Sequence, residues 1–129
     1  MLPANDVEYL TARMPQHTVS TEAGMICVLV PDFPLPEGLD RLASDLLLRL
    51  SPGYPDVPPD MWWFSPPIRR RDGSEIVATQ VQERHLGRDW QRWSRHLLPG
   101  QWRSGVDSLE SYLALVRREL DTAALKVTI

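Results

Sequence analysis

The chain has 129 residues, of which 43% are hydrophobic and 24% are charged. This balance suits a single globular domain over residues 1–129 with its own hydrophobic core. The formal net charge of −3 excludes a general attraction to nucleic acid or to anionic membranes, and we expect neither as a partner.

The start of the chain and its cysteine content indicate a cytoplasmic protein. MLPANDVEYL has no basic segment followed by an apolar run, and no stretch of the chain is long enough to cross a bilayer. The single cysteine, Cys27, excludes an internal disulfide and suits a reducing compartment. The three histidines lack the spacing of metal ligands, and we expect no metal and no cofactor.

The first predicted elements are a short helix and a buried strand. Residues 5–14 (NDVEYLTARM) suit a helix for which Asn5 or Asp6 is the N-cap. Residues 25–30 (MICVLV) form a continuous apolar run, which predicts a buried strand. Three prolines and a glycine in residues 31–38 (PDFPLPEG) predict a loop after it.

Two more strands are predicted downstream. Residues 43–50 (ASDLLLRL) suit a strand, although the short leucine run also fits a helix. Four prolines in residues 51–60 predict a second loop, and the aromatic residues 61–64 (MWWF) predict a third strand whose two tryptophans point to opposite faces. Strands separated by proline-rich loops favour an antiparallel meander.

The second half of the chain is predicted to be irregular at first and then helical. Residues 66–80 look exposed, with a turn at Asp72 and Gly73. From Glu83 onward the apolar spacing predicts a helix that ends before Pro99. Its apolar stripe comprises Leu86, Trp90, Trp93 and Leu97.

The strongest helix signal lies near the C-terminus, in DSLESYLALVRREL. Asp107 and Glu110 have the spacing of a capping box. The apolar stripe of this helix comprises Leu109, Leu113, Val116 and Leu120. Short helix, meander, irregular segment and terminal helix together predict an α+β fold.

This order of elements, together with the motif YPDVPPDMWWF, resembles the ubiquitin-conjugating enzyme superfamily. Tyr54, Pro55, Pro58 and Pro59 match the family's Tyr-Pro-x-x-Pro-Pro turn position by position. The resemblance therefore implies the ubiquitin-conjugating-enzyme-like fold, in which an irregular active-site segment separates the meander from the C-terminal helix.

A second match concerns the active-site segment. WRSGVDSLESYL resembles the family's Trp-Ser-Pro-Ala segment, which aligns Trp102 with the family tryptophan. Ser94 stands eight residues before Trp102, about where the family has its catalytic cysteine. The family's His-Pro-Asn tripeptide has no counterpart in FSPPIRRRDG. Some bacterial branches lack that tripeptide and carry a histidine just after the nucleophile, a description that fits His96.

The resemblance implies a carrier of a ubiquitin-like protein. Such a protein would accept the C-terminus of the ubiquitin-like partner from an adenylating activating enzyme and pass it to a target. A metal-dependent peptidase that reverses the linkage is a further implied partner. With Ser94 as nucleophile the intermediate is an oxyester, and His96 is the candidate base. Arg92, Arg95 and Trp102 are the candidate substrate-binding residues.

Other interpretations of these residues remain open. Ser94 can instead be a surface hydroxyl, or an engineered replacement of a cysteine, and His96 can be a packing histidine. His85 is a fallback base, and Thr79 is a rival hydroxyl. Cys27 lies in an apolar strand, where a thiol is expected to be inert. A catalytically inactive module that binds a ubiquitin-like protein or an activating enzyme is the alternative function.

Overall fold

A computed structural model of the chain describes residues 2–125. Two helices and six strands lie within this range, in a chain order that begins and ends with a helix. Their bounds are α1 (Ala4–Arg13), β1 (Thr18–Glu22), β2 (Met25–Pro34), β3 (Ala43–Leu50), β4 (Trp62–Ser65), β5 (Gln82–His85), β6 (Arg88–Trp93) and α2 (Leu109–Ala124). The α+β fold is confirmed.

The six strands form one antiparallel sheet in the order β1-β2-β3-β4-β6-β5. Strands β2, β3 and β4 are the predicted meander. The sequence did not predict β1, because TVSTE lies on an exposed edge and has no apolar alternation. The loop predicted from Pro31 onward is wrong in its first part, since β2 continues past a register shift between Val30 and Phe33.

The helix predicted from Glu83 is wrong, and a hairpin of β5 and β6 takes its place. His85 pairs with Arg88, so the connection is the two-residue turn Leu86-Gly87. Both turn residues have positive φ, 52° and 75°, as tight hairpins require. The backbone after β6 is also not helical.

The tryptophans explain why a strand forms here. Trp93 packs into the main core, whereas Trp90 belongs to a second cluster with Cys27, Leu47 and Trp63. Because side chains of a strand alternate between its two faces, β6 can place Trp93 in one cluster and Trp90 in the other, whereas the side chains of one helical stripe all point to the same side. Trp62 and Trp63 also point to opposite faces, as predicted.

Both helices contribute to the main core on one face of the sheet, and the smaller cluster fills the other face. The predicted stripe of α2 is buried throughout. The cap differs from the prediction, because Ser108 and Ser111 form the capping box while Asp107 accepts from the Arg103 amide. Cys27 is fully buried, and the interpretation of it as a core residue is confirmed.

The irregular segment before β5 is more buried than predicted. Its turn at Asp72 and Gly73 is present, with Gly73 at a φ of 83°. However, Ile68 and Ile76 are each 1% exposed and belong to the main core. This segment is therefore packed against the sheet rather than lying free over it.

Candidate active site

The matched proline turn is fixed to both helices through one carboxylate. The Tyr54 hydroxyl donates to Asp6 Oδ2 at 2.7 Å, and Asp6 Oδ1 accepts from the Leu109 amide at 2.9 Å. Asp6 is 1% exposed, so it serves as a buried acceptor and not as the predicted N-cap, a position that Pro3 occupies. Burial, and then the neighbouring Asp6, raises the pKa of the Tyr54 hydroxyl well above its usual value.

Trp102 joins the segment after β6 to the same turn. Its indole Nε1 donates to the Pro55 carbonyl at 2.8 Å, and its ring lies 6.0 Å from the Tyr54 ring between centroids. The Ser104 hydroxyl donates to the Asp56 carboxylate nearby. The two segments that carry the family motifs therefore contact each other, with Pro59 buried and Pro58 exposed in the turn.

Ser94 is the first residue after β6. Its amide donates to the Ala78 carbonyl at 3.0 Å, which anchors the backbone, and its side chain is half-buried. Its Oγ accepts from Arg92 Nε at 3.1 Å. A serine oxygen at the end of a strand thus faces a guanidinium.

His96 has a different partner. Its Nδ1 lies 2.7 Å from Asp60 Oδ1, and both side chains are largely exposed. Because a carboxylate only accepts, Nδ1 carries the proton in this contact, and Nε2 of a neutral ring remains an acceptor. Within residues 2–125 no hydrogen bond links Ser94 to His96. Asp60 was missed from the sequence, although it directly follows the proline turn.

Comparison with known families decides what these features belong to. The model of the prokaryotic E2 family E matches residues 2–123. The chain belongs to this family. No curated protein and no solved structure shows a significant match to it.

Family membership supports the fold and gives this E2 family member a ubiquitin-conjugating-like role. In general terms, the partners of that role are a ubiquitin-like protein and an activating enzyme. In the part of the chain that the structure describes, no helix is long and apolar enough to span a membrane.

The two candidate arginines of this E2 family member differ in their surroundings. Arg95 is held by Glu119 of α2 at 2.9 Å and by the Val77 carbonyl, and it lies over the Trp93 ring. Its side chain is 16% exposed, and these contacts favour a structural role. Arg92 is the arginine that contacts the Ser94 hydroxyl.

The rival candidates lie in less suitable places. The Thr79 hydroxyl is buried and donates to the Ile76 carbonyl at 2.7 Å, so it has a structural partner. His85 lies at the end of β5, where its Nε2 donates to Glu83 at 3.1 Å. Neither arrangement presents a group to Ser94 directly.

Proposed function

We propose that this E2 family member accepts the C-terminus of a ubiquitin-like protein as an oxyester on Ser94 and transfers it to a target. Ser94 Oγ would attack the activated carbonyl carried by the activating enzyme. The new C–O bond forms, the bond to the activating enzyme breaks, and the serine proton passes to a base. Attack by an amine or hydroxyl of the target then releases Ser94.

The observation that carries this proposal is the contact between Ser94 Oγ and Arg92 Nε. A guanidinium next to a half-buried hydroxyl stabilises the negative charge that develops on the oxygen, because the compensating positive charge is in place before the reaction begins. Ser94 also follows β6 directly and stands eight residues before Trp102, which is the spacing by which the resemblance aligns it with the family nucleophile.

His96 is the proposed base. The contact between His96 Nδ1 and Asp60 orients the ring and leaves Nε2 able to accept a proton. A carboxylate orients the histidine base of acyl-transfer enzymes in the same way. His96 is exposed, so Nε2 can meet either the Ser94 proton or the proton of an incoming acceptor when the partners are bound. The Asp60-His96 pair would thereby stand in for the missing His-Pro-Asn element.

The test is the formation of a covalent adduct. The chain is mixed with its activating enzyme, ATP and the ubiquitin-like protein, and intact masses are compared for wild type, Ser94→Ala and Ser104→Ala. Ser104 is a matched control, because it is an exposed serine in the neighbouring segment. An adduct that resists thiol reductant, yields to hydroxylamine and is lost only in Ser94→Ala supports the oxyester.

The second candidate is a binding module that holds a ubiquitin-like protein or an activating enzyme without chemistry. The observation that favours it is the lack of a hydrogen bond between Ser94 and His96 in the described residues. If the activating enzyme is charged, no adduct forms on the chain, and titration calorimetry still measures binding, this second function replaces the first.

A further inference from the structure

On the face of the sheet opposite the helices, a series of hydrogen-bonded polar side chains ends at Ser94. Trp63 and Arg92 are direct neighbours in the register of β4 and β6, and Trp63 and Trp90 belong to the second core cluster. Side chains at alternate positions of a strand share a face. Arg92 therefore lies on the same face as Trp90, and its Nε reaches onward to Ser94.

Arg92 is held at two points of its guanidinium. Nε donates to Ser94 Oγ at 3.1 Å, and Nη1 donates to Glu83 Oε2 at 2.8 Å. The Arg92 amide also donates to the Val81 carbonyl at 2.9 Å, which fixes the root of the side chain. A planar guanidinium with two anchored nitrogens has little freedom to turn away from the serine.

Glu83 is itself held in place. Its Oε1 accepts from Trp63 Nε1 at 2.9 Å and from His85 Nε2 at 3.1 Å, so three donors converge on one carboxylate. Desolvation alone would raise the pKa of Glu83, but the hydrogen bonds from His85, Trp63 and Arg92 outweigh it and lower the pKa below its usual value. Glu83 thus faces Arg92 as a stable anion at neutral pH.

We propose that Glu83 is a positioning residue that holds the Arg92 guanidinium against Ser94 Oγ for acyl transfer. This inference rests on the proposed oxyester function. It assigns the anchoring role to a residue on β5 that does not touch the reacting atoms. It also separates Arg92 from Arg95, which is anchored to α2 by Glu119.

The kinetic test compares Glu83→Gln with Asp89→Asn. Asp89 forms an exposed ion pair with Arg84 at 3.2 Å in the same hairpin, so it is a matched control for loss of a surface charge. The rate of Ser94 acylation is measured at saturating and limiting charged activating enzyme. Glu83→Gln should lower the saturated rate by about tenfold, less than the loss of a direct oxyanion donor, with the half-saturating concentration unchanged.

Asp89→Asn should acylate at the wild-type rate. Equal saturated rates for Glu83→Gln and wild type would overturn the proposal, as would an equal slowing in both variants. Arg92→Lys is the second variant, used if Glu83→Gln does not fold. A lysine ammonium cannot reproduce the two anchored nitrogens, and retention of the wild-type rate by Arg92→Lys would also overturn the proposal.

A spectroscopic readout separates this proposal from the function on which it rests. The Arg92 Nε–H signal is followed by ¹⁵N NMR in the isolated chain. We expect it to be protected from solvent exchange in wild type, to shift in Ser94→Ala and to lose protection in Glu83→Gln. If wild type forms no oxyester but these changes occur, the proposed function fails and the anchoring of Arg92 by Glu83 stands. An unprotected Arg92 signal in wild type overturns the anchoring itself.

Discussion

Replacing Tyr54 by phenylalanine should destabilise the fold by breaking the connection between the proline turn and the two helices. The hydroxyl is the donor to Asp6 Oδ2, and Asp6 is almost completely buried. Without that donor, one carboxylate oxygen remains in the interior without its partner. Loss of a hydrogen bond to a charged group costs about 1.5–3 kcal/mol. We expect Tyr54→Phe to lower the free energy of unfolding by an amount in this range.

Urea unfolding followed by far-UV circular dichroism measures this effect. With a slope of about 1.5 kcal/mol/M, the midpoint should fall by about 1–2 M. Tyr9→Phe is the matched control, because Tyr9 packs against the core from α1 and no hydrogen bond of its hydroxyl is found among residues 2–125. The same midpoint in Tyr54→Phe and Tyr9→Phe would refute the role of Asp6 as a buried acceptor. A double-mutant cycle with Asp6→Ala should return a coupling free energy of similar size.

Two further predictions concern alkaline stability and the proposed base. Burial raises the pKa of Tyr54 and Tyr112 in the folded chain, so their contribution is complete below the unfolded pKa of about 10 and is lost as the pH rises above it. The free energy of unfolding, measured by urea titration from pH 8 to 11, should therefore decline above about pH 10, by about 1.4 kcal/mol per pH unit for each tyrosine. A flat profile would contradict the burial of both hydroxyls. Asp60→Asn removes the carboxylate partner of His96 and should slow discharge of the ubiquitin-like protein by about tenfold in a single-turnover assay. An unchanged discharge rate would contradict the role of Asp60 in orienting His96 as the base.

The sequence predicted those elements whose local pattern agrees with their environment. The strand at MICVLV is apolar and buried, and the α2 stripe from Leu109 to Leu120 repeats at helical spacing and is buried. The α+β class and the conjugating-enzyme-like fold followed from these elements and from the YPDVPP motif. The hairpin was missed because Leu86, Trp90 and Trp93 also fit a helical stripe. Only the second cluster, which includes Trp90 and contacts Leu86 while Trp93 packs in the main core, shows that the tryptophans belong to opposite faces of a strand.

The sequence predicted the candidate site only for residues that lie close together in one segment of the chain. Ser94 was located by its distance from Trp102, and whether it reacts remains a prediction. Its surroundings depend on contacts between distant segments. Asp60 meets His96 across 36 positions of the chain, and the Tyr54 hydroxyl meets Asp6 across 48. No local pattern reports such pairs, and β5, on which Glu83 lies, was hidden by the helix prediction.

The central claim is that Ser94 carries the acyl group, and peptide mapping of the adduct tests it most directly. Arginines at positions 92 and 95 flank this serine, so trypsin releases it in the three-residue peptide 93–95, whereas Ser104 begins the peptide 104–117. We predict that the mass of the ubiquitin-like C-terminal remnant lies on peptide 93–95 and is removed by hydroxylamine. A remnant on another peptide, or none while the activating enzyme is charged, would contradict the account.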